Sequence, residues 1–181
     1  MIDMTGWQPQ LTLPVSPARD HIRGPVAALV TLVEYGDYEC PYCAAAHAVV
    51  NAVHAQLGTS LRFVFRHFPL TTVHPHVAEA AEAAEAAGAQ GKFWPMHDTL
   101  YANQPRLAAP FLLAYAEAIG VHTPRVAADL AEHVHAARVR EDFMSGVRSG
   151  VNGTPSFFIN GVRYDGSWEA PSLLAALQQV A

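Results

Sequence analysis

The chain reads as an α/β fold, ordered β-α-β, then a long all-helical segment, then β-β-α. Three observations predict it. Residues 26–35 are apolar and β-branched almost throughout, as in a strand buried on both faces of a sheet. Residues 77–89 are nearly all Ala and Glu, strong helix formers. Asn160-Gly161 separates two short apolar runs, the strongest short hairpin signal.

The elements follow in order. Residues 1–24 are proline-punctuated and without period, and read as an arm closing at Gly24-Pro25. After the first strand, Cys40 to Leu57 reads as a helix, with Pro41 suited to its first turn and Gly58 just past its end. Ser60 to Phe68 alternates in part and reads as a second strand, parallel to the first across the helix. Helical patterns then run through 77–89, 93–101, 107–119 and 124–148, broken at Gly91, Pro105 and Gly120. Strands return at 155–159 and 162–164, and an amphipathic helix over 170–180 closes the chain. One domain built from 1–70 and 149–181, with a helical insertion over 71–148, is expected.

Composition narrows the function. The 181 residues are 51% hydrophobic and 15% charged, outside the disordered regime and sufficient for a core without a disulfide staple or structural metal. Net charge is −5 with no basic tract, which gives nucleic acid or an anionic membrane no electrostatic purchase. No uninterrupted apolar run approaches a membrane span. The first eighteen residues lack Lys and Arg and are broken by Pro9, Pro14 and Pro17, which is no secretory signal pattern. The expectation is a cytoplasmic protein, or an extracytoplasmic one had a leader been trimmed. Two cysteines exclude a disulfide-rich scaffold and a four-thiolate cluster.

Those two cysteines carry the chemistry. Cys40-Pro41-Tyr42-Cys43 lies where a buried strand ends and a helix begins. Unpaired N–H groups and the positive end of the helix dipole favour a thiolate at Cys40. Pro41 fixes the first helical dihedral, and the spacing sets Cys43 one turn along, within reach of a disulfide. Inert thiols or a zinc site are the bland readings. Zinc needs two more ligands, and the close pairs His74/His76 and His133/His135 are only two residues apart. No metal and no organic cofactor is expected.

These residues resemble a known family. Val33-Glu34-Tyr35-Gly36-Asp37-Tyr38-Glu39-Cys40-Pro41-Tyr42-Cys43, with Gly153-Thr154-Pro155 before a strand, is similar to the DsbA-like branch of the bacterial thioredoxin superfamily. Asp20 to Gly24, Arg66 to Leu70 and Gln90 to Trp94 resemble further segments of its oxidoreductases. The resemblance implies a thioredoxin-like fold with a helical insertion, consistent with the 111 residues (44 to 154) between Cys43 and Pro155. It implies dithiol–disulfide exchange, with Cys40 as nucleophile and Cys43 as resolving thiol. It makes Pro155 a cis-proline facing the pair, and Thr154 the edge where a substrate peptide adds as a strand. It also gives Glu34, six positions before Cys40, the proton of Cys43; by strand parity Glu34 shares the inner face of Val30 and Leu32.

Pro41 and Tyr42 set the redox tuning. Tyr42 brings no cation, Asp37 and Glu39 would raise the Cys40 pKa, and the helix start lowers it. The balance is a pKa of roughly 5 to 7 and a potential between about −270 and about −120 mV, the thioredoxin and DsbA limits. Cys40 is expected exposed and Cys43 shielded. His47 reads as a helix-surface residue, and Phe93, Trp94 and Tyr101 as helical core. Expected partners are thiol- or disulfide-bearing proteins or peptides, with glutathione or a thioredoxin-type recycling partner. Two rivals stay open: a glutathione-using transferase or isomerase relative, and a binding module whose disulfide switches an interface.

Overall fold

The computed structural model describes residues 9–181; the first eight residues of the N-terminal arm lie outside it. Five strands form one mixed sheet in the order β1-β3-β2-β4-β5. They are β1 (His21–Arg23), β2 (Val30–Gly36), β3 (Leu61–His67), β4 (Ser156–Ile159) and β5 (Val162–Tyr164). The central pair β2/β3 is parallel, with Glu34 opposite Phe65; β4 pairs antiparallel to β2, with Glu34 opposite Phe157. Helix α1 (Pro41–Leu57) connects β2 to β3, and α7 (Ala170–Gln178) follows β5. Between β3 and β4 lie α2 (Val77–Gly88), α3 (Phe93–Ala102), α4 (Ala109–Ala118), α5 (Thr123–Ala131) and α6 (Ala136–Arg148). This is the thioredoxin-like α/β arrangement the resemblance implies.

Every residue of β2 is buried, because the sheet is covered on both faces. Val30, Leu32, Phe63, Phe65, Phe157 and Ile159 join α1, α7 and the alanine-rich α2 in the larger core. Val33, Tyr35, Val64 and Phe158 face the other way, onto Phe68, Val151 and Phe143. Ala80, Ala83, Ala84 and Ala87 are fully enclosed, so the small side chains of α2 let neighbouring helices approach.

Three local expectations are corrected. The arm contributes a strand: Ile22 pairs with Val64, forming an antiparallel edge. Three residues are too few to display alternation, and the pairing is decided by partners some forty positions away. Fully buried Arg66 then fastens the arm, binding Asp20 through Nε at 3.0 Å and Nη2 at 3.1 Å, and donating to the Leu13 carbonyl at 2.9 Å. The first long strand starts at Val30 instead of Val26, since Pro25 opens a turn closed by the Ala28 N–H. The helix expected over 124–148 is two helices, broken where His133 takes a left-handed φ of 52°. His133 Nδ1 meets Glu82 of α2 at 3.1 Å, a contact between the break and a helix distant in the chain that no local pattern encodes.

Candidate active site

The parallel β2 strand ends at Gly36, and the chain turns through Asp37–Glu39 into α1. Asp37 builds that turn. Its Oδ1 accepts the N–H groups of Glu39 (2.8 Å) and Cys40 (3.1 Å). Its Oδ2 accepts the Leu70 N–H (2.9 Å) and contacts His74 Nδ1 (2.8 Å), joining the turn to the loop after β3. Glu39 in turn accepts the His76 N–H at 2.7 Å. Both carboxylates are spent on positioning, and neither is a leading influence on the Cys40 thiolate, contrary to the expected upward push. An Asx-type turn three residues before a helix start was the signal available for Asp37.

Cys40 stands at the N-cap of α1, with Pro41 as first helical residue. Both cysteines are free thiols in this structure. Hydrogen bonding from Cys43 is the leading cause that brings the Cys40 pKa down to about 5, and burial opposes it. Cys43 moves the other way, well above the usual thiol range, because burial, its donation to Cys40 and the charges of Glu34 and Cys40 all resist ionisation. Hydrogen bonding toward Cys40 and burial of Cys43 thus separate the two thiols into nucleophile and reserve acid.

Cys43 is fully enclosed, as expected, but Cys40 is also recessed, keeping 5% of its surface. The tertiary fold covers it. The Thr154 carbonyl lies 3.5 Å from Cys40 Sγ, and the Thr154–Pro155 bond is cis. From the turn after α3, Gln104 donates to the carbonyls of Tyr38 (2.7 Å) and Cys40 (2.8 Å). Nothing in the local sequence around Gln104 signals that contact. Tyr42 is 67% exposed and flanks the pair as a surface ring.

Glu34 lies on the α1 side of the sheet and is 1% exposed. Burial, and then the charge of Cys40, raise its pKa to about 8. Its Oε1 finds no hydrogen-bond partner among the described residues. Cys40, Cys43, Glu34, Thr154, Pro41 and Tyr42 therefore meet around one helix start, with Pro155 next to Thr154.

His47 is not a surface residue. Its ring stacks on Tyr101 at 4.9 Å, its Nε2 meets Asn51 at 3.1 Å, and burial lowers its pKa. Phe93 and Tyr101 are buried in the core and Trp94 packs against it. Two clusters have the spacing of metal ligands among the described residues: His47/His97/Asp98 and His67/Glu85/Asp142. Arg23 already forks onto Asp98 at 2.9 and 2.8 Å, and Arg19 and Arg138 neutralise Asp142, so no metal is assigned to either.

A family model described as thioredoxin matches residues 17–179. Among curated proteins, a Na(+)/H(+) antiporter NhaA 1 of Salinispora arenicola (strain CNS-205) is 50% identical over 167 residues, 92% of this chain and 26% of that protein. A Na(+)/H(+) antiporter NhaA of Herminiimonas arsenicoxydans is 44% identical over 165 residues, 91% of this chain and again 26% of the relative. The chain thus spans about a quarter of the curated relatives it matches. Among solved structures, oxidised BdbD from Bacillus subtilis superposes with TM-score 0.85 at 19% identity, covering 96% of each chain. A thioredoxin-like oxidoreductase from Silicibacter pomeroyi DSS-3 gives TM-score 0.77 at 28% identity, covering 91% of each. The extent of the family match and these superpositions lead to one conclusion: the chain belongs to the thioredoxin family and has the fold of its DsbA-like members.

Proposed function

We propose that this thioredoxin-family oxidoreductase performs dithiol–disulfide exchange through Cys40 and Cys43. The observation that carries the reading is the placement of two thiols one turn apart at the start of α1, Cys40 at the N-cap and lowered mainly by hydrogen bonding from Cys43, Cys43 fully enclosed and raised mainly by burial. In the reducing direction, the Cys40 thiolate attacks a substrate disulfide, forming a mixed disulfide and releasing one substrate thiolate, which takes a proton from water. With the Cys40 charge consumed in the mixed disulfide, Glu34 ionises more readily; in its carboxylate form it takes the Cys43 proton, and Cys43 attacks Cys40 Sγ. The mixed disulfide breaks, the second substrate thiolate leaves, and the protein holds a Cys40–Cys43 disulfide. Two electrons have passed to the substrate; the oxidising direction is the reverse.

Substrates are thiol- or disulfide-bearing proteins or peptides, laid along the backbone edge at Thr154 and Pro155 as an added strand. A Cys40 pKa near 5 lies between the DsbA and thioredoxin values of about 3.5 and about 7, which supports an intermediate potential. A cytoplasmic setting favours the reducing or isomerising direction, since glutathione and thioredoxin hold thiols reduced there. No helix among the described residues is long and apolar enough to cross a membrane, and the chain matches about a quarter of the antiporter relatives' length.

Multiple turnover in insulin reduction or peptide oxidation tests the reading. Cys43→Ser should abolish it and trap substrate on Cys40. A glutathione transferase would survive that substitution, and a redox-switched binding module would show no turnover in the wild type.

A further inference from the structure

We infer that Tyr101, from α3, is a positioning residue for the exchange reaction, its hydroxyl holding the ionised Glu34 carboxyl across the side-chain space that Gly36 leaves open. The inference rests on the exchange reading above for its role in turnover, and on geometry for the contact itself. A Cβ on Gly36 would stand 2.9 Å from the Tyr101 hydroxyl and 3.1 Å from Glu34 Oε1, so the two oxygens lie within about 6 Å of each other. The same Cβ would meet the Phe65 ring at 2.5 Å, so only glycine keeps this space free.

Both oxygens are buried, and neither has a hydrogen-bond partner among the described residues. Buried polar atoms are nearly always satisfied, and two facing orphans at this separation can satisfy each other through a small rotation or one bridging water. A protonated Glu34 can stand alone at modest cost. A carboxylate that has just lost its proton, or is about to take one from Cys43, needs a donor, and a phenol is the group placed to give one.

The charged and titratable surroundings are defined. Cys40, Cys43 and His47 face the Glu34/Tyr101 space from α1, His97 from α3, and Asp37 and Tyr38 from the turn between β2 and α1. Tyr101 itself is held protonated far above its ordinary range, first by burial and then by the nearby Cys43 and Glu34 charges. It therefore remains a donor throughout the working pH range. Tyr38 is occupied differently, its hydroxyl pairing with His97 Nδ1 at 3.0 Å. Tyr101 thus brings a residue from between β3 and β4 into the proton chemistry of the cysteine pair, a role beyond the core packing expected from its sequence context.

The test titrates the Glu34 carboxyl carbon by NMR in the oxidised full chain, for the wild type and Tyr101→Phe. In parallel, release of a peptide mixed disulfide is followed against pH in single turnover. Phe keeps the ring stacked on His47 and removes only the hydroxyl, and coincident thermal melts check the fold. Loss of a hydrogen bond to a charged group should raise the Glu34 pKa by about one to two units. The pH profile of release should move with it, while the Cys40 thiolate absorbance titration stays in place. An unmoved or lowered Glu34 titration in the folded variant overturns the inference. Wild-type protein that fails to turn over refutes the exchange reading instead, and the NMR titration still decides the Tyr101 contact.

Discussion

Glu34→Gln is the substitution whose consequence follows most directly from the structure. The carboxyl is buried beside the cysteine pair with its pKa raised from an ordinary 4.5 to about 8. Below pH 4.5 both folded and unfolded chains hold this proton, and it costs nothing. Between 4.5 and 8 the unfolded chain releases the proton while the folded one keeps it, so stability falls with rising pH. Each unit of that window costs about 1.4 kcal/mol, so the wild type loses about 2 kcal/mol by pH 6 and about 5 kcal/mol by pH 8. Above pH 8 the folded carboxyl ionises too, and the loss levels off. Glutamine does not titrate, so the variant should gain on the wild type across this window. Part of the shift comes from the Cys40 charge, so the gain should be larger in the reduced protein than in the disulfide form. Denaturant unfolding of both proteins at pH 5, 6, 7 and 8, in both redox states, measures the difference. A wild-type/variant gap that stays constant from pH 5 to 8 would refute a buried, protonated Glu34. The same variant should slow resolution of the mixed disulfide, having lost the acceptor for the Cys43 proton.

Two further outcomes are expected. Brief alkylation of the reduced protein at pH 6 should label Cys40 and spare Cys43, with the Cys40 reactivity titrating near pH 5; dominant labelling of Cys43, or a midpoint near the free-thiol value of about 8.5, would reverse the assigned roles. Asp37→Ala strips the acceptor from three backbone N–H groups and His74, and should cost about 2–4 kcal/mol in urea unfolding; a loss below about 0.5 kcal/mol would show the turn to be held by other contacts.

The sequence by itself determined the elements whose causes are local. Val30 to Gly36 is a strand because seven enclosed residues in a row suit a sheet covered on both sides, and α1 begins where Pro41 permits. Strand parity alone placed Glu34 on the inner face with Leu32, and the two-residue spacing alone set Cys43 one turn from Cys40. Tertiary structure decided everything that depends on partners distant in the chain. Three residues became β1 only because Val64 and its neighbours offered an edge, and one helical stretch became α5 and α6 at His133. Cys40, exposed by any local argument, is recessed because Thr154 closes over its sulfur while Gln104 ties down the turn that carries it. The Glu34–Gly36–Tyr101 space exists only once α3 packs against β2 and α1. The division has a physical basis: periodicity and capping act within a few residues, whereas enclosure, shared hydrogen bonds and the pKa displacements they cause arise only when remote segments exclude water from the same place.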